Sequence, residues 1–537
     1  MDRARPALAT AAAFRRQDAP WGKWQPEGFW FPRFWFESRR GSGGSSAGLR
    51  AVEVGSGSIG KDGRVTPREA AVRAVVLAAG HGRRMRSKLP KVLHAAGGRP
   101  LLVHVLAALA PLELDGGCIV VTPGRPEIQD ALESAGLDDA VACVVQEPAR
   151  GTADAVRVAL ESTPQRAGTL LVTAGDTPLL QTSTLQAVLD AHLSRKAAAT
   201  ILTAHVAEPA GYGRIVRDDA GNVEGVVEER DASDEQRSIT EINAGTYVFD
   251  EARLLAVLAE VDADNEQGEY YLTDVVGLLC AQGDVVAAHR TDAEEVAGVN
   301  SRAELAAAGE LLRARTCERW MTEGVTIVDP STTYIDASVV LEPDVVLHPS
   351  TFLEGCTTVR SGARLGPQAR VVDSEVGREA SISFSVVVGS IIGDEASVGP
   401  FASLRRGTRL ERGAKIGSFV ETKQTTLGKG SKANHLAYLG DAEIGEGVNI
   451  GAGTITCNWD GRAKHKTVIE DEAYVASDTM LVAPVRIGRR AATGAGAVVR
   501  DDVPDEALAV GVPARVIEGK GNRTGDKRAE GADATEG

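Results

Sequence analysis

Apolar residues recur every six positions over the last third of the chain. Ile335, Leu341, Leu347, Leu353, Val359, Leu365 and Val371 form one run, and Ile392, Val398, Leu404, Leu410 and Ile416 a second. Val475, Leu481, Ile487 and Val499 form a third, with Thr493 at its one non-aliphatic step. An α-helix repeats every 3.6 residues and a half-buried strand every two, so neither produces this spacing. A left-handed parallel β-helix of hexapeptide repeats does: each unit is a short strand and a corner, with the aliphatic residue turned inward. Gly366-Pro367, Gly393-Asp394, Gly399-Pro400 and Gly488 supply turn-forming residues for those corners. A β-sandwich is the competing reading, and its longer strands fit the strict period less well. The hexads break between Ile416 and Val475, where a loop interrupting the repeat is expected to carry function.

Upstream the pattern changes. Ala74–Leu77, Cys118–Val121 and Thr169–Thr173 read as buried strands; Pro100–Ala110, Gly151–Leu160 and Thr184–Leu193 read as helices. This alternation predicts a Rossmann-like α/β domain with a mostly parallel sheet covered on both faces. Ligands of such sheets bind beyond the carboxyl ends of the strands, which directs attention to the loops after Ala79 and Thr173. Ser301–Met321 has helical spacing and predicts one long helix joining the two parts. The expected domains are 71–300, a linker helix at 301–324, and the coil at 325–518. Four of six tryptophans and five of ten phenylalanines fall in the first 36 residues, ahead of a Gly/Ser tract. Residues 1–70 are read as a disordered extension or an over-long start, an aromatic anchor being the alternative. The polar tail 519–537 is also expected to be disordered.

Composition narrows the class. With 74 acidic against 59 basic residues the net charge is −15, which argues against a nucleic-acid partner. Six scattered cysteines lack a CxxC pair and read as reduced cytosolic thiols. The apolar run Leu101–Leu112 is too short to span a membrane. A cytoplasmic protein without membrane or nucleic-acid partners is expected.

The candidate chemistry lies in two places. After the first strand come LAAGHGRRM (77–85) and LPKVLH (89–94). Small residues there let backbone amides approach phosphates, and Arg84 and Lys91 add charge. The string is neither a Walker loop nor a complete GxGxxG. In the interrupted coil, GKGSKANHLAYLGD (428–441) carries His435, whose neutral imidazole suits taking a proton from an amine near neutral pH.

LAAGxGxRM followed by PKxLH resembles the nucleotidyltransferases that join a nucleoside triphosphate to a sugar 1-phosphate. Gln146, Gly151-Thr152, Ala174-Gly175-Asp176, Gly211–Arg214, Val227-Glu228, Glu241–Gly245 and Gly298–Asn300 continue the series. With the coil behind them, residues 72 to 515 resemble the bifunctional N-acetylglucosamine-1-phosphate uridyltransferase / glucosamine-1-phosphate N-acetyltransferase family. The resemblance implies that Leu77, Ala78, Ala79 and Gly80 cradle the uridine nucleotide of UTP, with Ala174 and Gly175 beside them. Gln146, Gly151 and Thr152 would read the uracil, and Arg84 and Lys91 would neutralise the triphosphate. Gly213, Glu228 and Asn243 would hold the amino sugar. Asp176 and Asn300 would bind Mg²⁺, which takes hard oxygen ligands; the alternatives are helix caps at both positions.

For the coil, the resemblance implies His435 as general base, oriented by Glu421. Arg405, Lys423, Tyr438 and Asn449 would bind glucosamine 1-phosphate. Ala452, Ser477 and Ala495, with Asn458 and Trp459, would line the acetyl-coenzyme A groove. It also implies a homotrimer with this site between subunits, and synthesis of a cell-envelope precursor. The chain departs from the family pattern at Trp459, where tyrosine is usual, and at Arg406, where proline is. A C-terminal arginine is absent near Val510–Pro513, and Lys464, Lys466 or Arg515 are the candidates to replace it. Two rival readings are a monofunctional nucleotidyltransferase with a structural coil and a non-catalytic scaffold.

Overall fold

The structure, a computed structural model, describes residues 57–59, 65–67 and 71–521, apart from 81, 113, 116, 117, 138, 139 and 164–167. Of the segment 1–70 it describes one short antiparallel pair, Gly57–Ile59 with Val65–Pro67; the rest of that expectation, and the tail from 522, lie outside the described residues.

The α/β half is a nine-stranded sheet. Its strands are β1 (Ala71–Leu77), β2 (Cys118–Thr122), β3 (Val141–Val145), β4 (Gly168–Ala174), β5 (Ala199–His205), β6 (Arg214–Arg217), β7 (Val223–Val227), β8 (Glu241–Asp250) and β9 (Val286–Arg290). The block β3-β2-β1-β4 is wholly parallel. Val72–Val76 and Thr169–Thr173 are buried, as strands covered on both faces require. Helices Leu101–Leu109, Thr152–Glu161 and Thr182–Arg195 lie within two residues of the expected ends. Beyond β4 the sheet reverses. β8 runs antiparallel to both β4 and β5, and β6 and β7 form a hairpin at its edge. The helix–strand alternation gives no sign of this antiparallel extension, because hairpins need no helical crossover.

The coil is built of stacked parallel strands in three ladders. One carries Ile335, Leu353, Val371, Val387, Leu404, Thr422 and Leu439 inward in register. A second carries Leu341, Val359, Val376, Ile392, Leu410, Leu427, Ile444, Ile469 and Ile487. The third carries Ile327, Leu347, Leu365, Ile382, Val398, Ile416, Ala433, Ile450 and Val475. All are buried in one continuous core or satisfied within it.

The expected interruption between Ile416 and Val475 narrows to residues 458–466. Elsewhere in that span the coil continues, and the apolar pattern fades there because Thr422, Ala433 and Thr456 take inward positions. The threonines cost nothing in burial, since their hydroxyls are bonded: Thr422 to Thr408 at 2.9 Å and Thr456 to the Gly440 carbonyl at 3.0 Å. His435 ends a coil strand, Lys432–His435, and is not on a loop. The one real excursion is 458–466, where the Ile444-to-Ile469 step lengthens the rung. It closes on itself through Trp459 paired with Lys464, and through Asp460, whose carboxylate accepts from the Arg462 and Ala463 amides at 2.7 Å each.

The linker helix, Arg302–Thr322, starts in a capping box: Ser301 bonds the Glu304 amide and Glu304 reaches back. Its first half buries Ala308 against Leu101 and Leu179; its last turn puts Cys317 and Trp320 into the base of the coil core. The two halves also touch directly. Ala337 N–H donates to the Gly97 carbonyl at 3.0 Å, and a side chain at Gly98, φ 73°, would overlap the Asp336 carboxylate.

Candidate active sites

Residues far apart in sequence converge where β1 and β4 end. Gly175 N–H donates to the Leu77 carbonyl at 2.9 Å, so the loops after the two strands leave side by side. Ala78 N–H donates to the Val121 carbonyl, and the chain then turns at Gly82. Gly82 has φ 56°, and a Cβ there would lie 2.8 Å from the Lys91 Cβ. Only glycine allows the loop after β1 to close over the Lys91 turn. Gly80, by contrast, has open space around it. Sequence reasoning named Gly80 and passed over Gly82, whose signal was its place beside the lysine motif.

Lys91 Nζ is bonded to the Asp176 carboxylate and, at 2.9 Å, to the Asn300 amide oxygen. Both capping alternatives fail. Ser301, not Asn300, caps the linker helix, and the helix after Asp176 begins only at Thr182 with Gln181 as its cap. Asn300 is instead held by its backbone: its N–H donates to Glu304 at 2.5 Å, and Val299 N–H donates to the Asp176 carbonyl at 2.9 Å. Two hard oxygens thus face one positive centre, the donor type that suits Mg²⁺ with phosphates and water completing its shell. Arg84 is exposed on the turn Arg83–Met85. Arg84 and Asp176 both act electrostatically on Tyr212, whose phenol is held above its ordinary value chiefly by burial.

The residues assigned to uracil are packed more tightly than a bare ligand contact requires. Gln146 is buried, and its amide donates to the Gly151 carbonyl at 3.0 Å and to Asp154 at 2.8 Å. Gly151 has φ 120°, and a Cβ would lie 2.4 Å from the Tyr270 carbonyl oxygen. Thr152 Oγ1 accepts from the Leu272 amide at 2.9 Å. These three form one unit clamped against 270–272.

Gly213, Glu228 and Asn243 come together. A Cβ on Gly213 would sit 3.5 Å from Asn243 and 3.6 Å from the Glu228 carboxylate. Burial raises the Glu228 carboxyl, while the Thr273 hydroxyl, donating to it at 3.1 Å, opposes that shift. Next to it Asp274 is pushed up to about 6 by burial and by the charges of Asp262 and Asp231.

In the coil, four named residues fall in one column. His435 pairs above Ser418, and Ala452, Ser477 and Ala495 take the same corner position on the next three rungs. Asp478 N–H donates to the Ala452 carbonyl and Gly496 N–H to the Ser477 carbonyl, which locks the corners in line. Rungs are about 4.8 Å apart, so the column spans roughly 14 Å. Its side chains beyond the imidazole are small. His435 is exposed, and its imidazole makes no hydrogen bond among the described residues.

The Glu421 carboxylate accepts from Arg405 at 2.9 Å. Tyr438 lies directly above Glu421, and a Cβ on Gly440 would meet both the Tyr438 hydroxyl and the Asn458 amide. Lys464 beside Lys423 holds that ammonium below the ordinary lysine value, and Arg405 adds to the effect. Arg405, Lys423 and Lys464 therefore make a concentrated cationic patch, fit for a phosphate. Of the candidates to replace the absent arginine, Lys464 belongs to this patch and Lys466 is paired with Glu443. Arg515 sits opposite Val510. Arg406 turns away to Asp373 at 3.6 Å. Asn449 lies above Lys432, at the opposite end of its strand from the His435 corner. Trp459 is 57% exposed on the 458–466 excursion.

Comparison with known proteins covers both halves. Residues 74–265 match the family described as MobA-like NTP transferase domain. Over 438 residues the chain is 47% identical to the Bifunctional protein GlmU of Heliobacterium modesticaldum, covering 81% of this chain and 94% of that one. It is 50% identical over 451 residues to the protein of the same name from Thermobifida fusca, covering 83% and 93%. For the one from Carboxydothermus hydrogenoformans the identity is 46% over 440 residues, covering 82% and 97%.

Proposed function

The chain belongs to the GlmU family of bifunctional enzymes, and on that premise we propose a two-step synthesis of UDP-N-acetylglucosamine. The coil acetylates glucosamine 1-phosphate with acetyl-coenzyme A. The α/β half then transfers UMP from UTP to the N-acetylglucosamine 1-phosphate so formed, releasing pyrophosphate. The observation that carries this reading is the meeting of Lys91, Asp176 and Asn300 at the carboxyl edge of the parallel strands.

The residues of the first site divide the work. The amides of Gly80 and Gly82 approach the phosphates, and Arg84 and Lys91 offset their charge. Glu228 and Asn243 hold the sugar so that its phosphate oxygen faces the α-phosphate in line. The new P–O bond forms as the bond to pyrophosphate breaks, and positioning does most of the catalysis with no protein nucleophile. Asp176 and Asn300 would hold Mg²⁺, which when bound neutralises phosphate charge, and Lys91 would then turn its ammonium onto the phosphates. EDTA is expected to stop pyrophosphate release and leave thiol release from acetyl-coenzyme A unchanged, with added Mg²⁺ restoring the first. Pyrophosphate release that persists in chelator would contradict the metal assignment.

In the coil, His435 takes the proton as the amine nitrogen attacks the thioester carbonyl, and returns it to the departing thiolate. Arg405, Lys423 and Lys464 face the sugar phosphate, and the Ala452–Ser477–Ala495 column takes the pantetheine arm. A homotrimer is part of the same reading. Phe401, Phe419 and Leu436 stack up the His435 corner at 55%, 62% and 61% exposure, with ring centroids of the two phenylalanines 5.6 Å apart. An apolar ladder beside a reactive histidine suits burial by a second copy, whose own face would supply what Asn449 does not reach. Phe401→Glu with Phe419→Glu is expected to sediment as a monomer and lose acetyl transfer while keeping uridyl transfer. A trimer with full acetyl transfer would overturn the interface. A cytoplasmic location belongs to this reading too, supported by the free thiols of Cys143, Cys280, Cys317 and Cys457.

A further inference from the structure

β8 is irregular where it passes the sugar site. Against β5, Asn243 pairs with Thr203 and Tyr247 with Ile201, so three residues of β8 bulge out where β5 has one. Four residues of regular strand span about 13 Å. Here the Asn243 Nδ2 and the Tyr247 hydroxyl are 2.6 Å apart. The bulge turns at Gly245, φ 70°, whose N–H donates to Asn243 Oδ1 at 3.0 Å. The last of the three bulge residues, Thr246, bonds Thr173 on β4 at 2.8 Å, with both hydroxyls buried. Thr173 lies three residues before Asp176.

We propose that this bulge is a clamp that sets the Asn243 amide for the sugar, with Tyr247 as its positioning residue. The inference rests on the reading of Asn243 as a sugar contact. Gly245 N–H can face only the amide oxygen, so Oδ1 and Nδ2 cannot exchange places without setting two donors against each other. The Tyr247 hydroxyl must therefore accept, and it holds the nitrogen end. Burial and the nearby Glu228 charge keep the phenol un-ionised. One Nδ2 hydrogen and one Oδ1 lone pair remain for a ligand, in a single orientation. Bulges serve this purpose beside active sites, by re-aiming a side chain. The Thr246–Thr173 bond ties the clamp to the strand that delivers Asp176, so sugar and phosphate sites share one frame.

Tyr247→Phe keeps the ring and its stacking on Phe249, at 5.6 Å between centroids, and removes only the hydroxyl. The expected result is a rise of about fivefold in KM for N-acetylglucosamine 1-phosphate, the size of one lost neutral hydrogen bond, with kcat and the KM for UTP unchanged. Asn243→Ala should raise the same KM at least as much. If Asn243→Ala raises it and Tyr247→Phe does not, the clamp is overturned while the sugar reading stands. If neither variant moves it, both fall. A Tyr247→Phe enzyme with lowered Tm and both KM values unchanged would make the hydroxyl structural only and also overturn the clamp.

Discussion

Asp176→Ala is expected to lower Mg²⁺-dependent pyrophosphate release by about 10²- to 10³-fold, the scale seen when a charge-stabilising group is removed from a preorganised site. Acetyl transfer should stay within twofold. The effect is large because the carboxylate is half of the oxygen pair facing Lys91. Its loss frees Lys91 from that partner and leaves Asn300 alone to face the metal. Asp176→Asn separates charge from shape: it keeps an oxygen at the same place, and activity should stay low if charge is what matters. Equal loss of both reactions in either variant would show that the sites are not independent.

His435→Ala should lower thiol release from acetyl-coenzyme A by about 10²- to 10⁴-fold, the range for a positioned proton acceptor. Uridyl transfer should be unaffected when N-acetylglucosamine 1-phosphate is supplied. The histidine ends a strand packed in the coil, yet its ring is exposed, so the alanine variant removes chemistry without opening a cavity. Unchanged thiol release would remove His435 as the base and move the search to Glu421 and the Asn458-Trp459 corner.

The parallel block of the sheet and the coil were legible because burial leaves a periodic trace: runs of Val, Leu and Ala in β1 and β4, and one aliphatic residue per six in the coil. What was hidden has physical causes. Inward threonines at 422 and 456 mimic a break, because a hydroxyl bonded inside the core is as acceptable there as a methyl group. The β6–β8 strands are short or bulged and lack a clean alternation. Site residues were named through the resemblance, and for several their partners were not foreseeable. Glu421 turns to Arg405, which lies two residues along the neighbouring rung from its register partner Ser403, a relation that only the stacking register reveals. The column of His435, Ala452, Ser477 and Ala495 was likewise invisible, since the 458–466 excursion lengthens one of its three steps. Gly82 and Tyr247 carried weak signals of their own and became visible only through the neighbours they touch.

The central claim is two separable sites working in sequence, coil first. Asp176→Ala and His435→Ala enzymes, each purified, should individually fail to convert glucosamine 1-phosphate, acetyl-coenzyme A and UTP into UDP-N-acetylglucosamine. Mixed in equal amounts they should make it, with N-acetylglucosamine 1-phosphate passing through solution from one to the other. A mixture that yields no product, or either variant alone that yields it at the unaltered rate, would contradict the account.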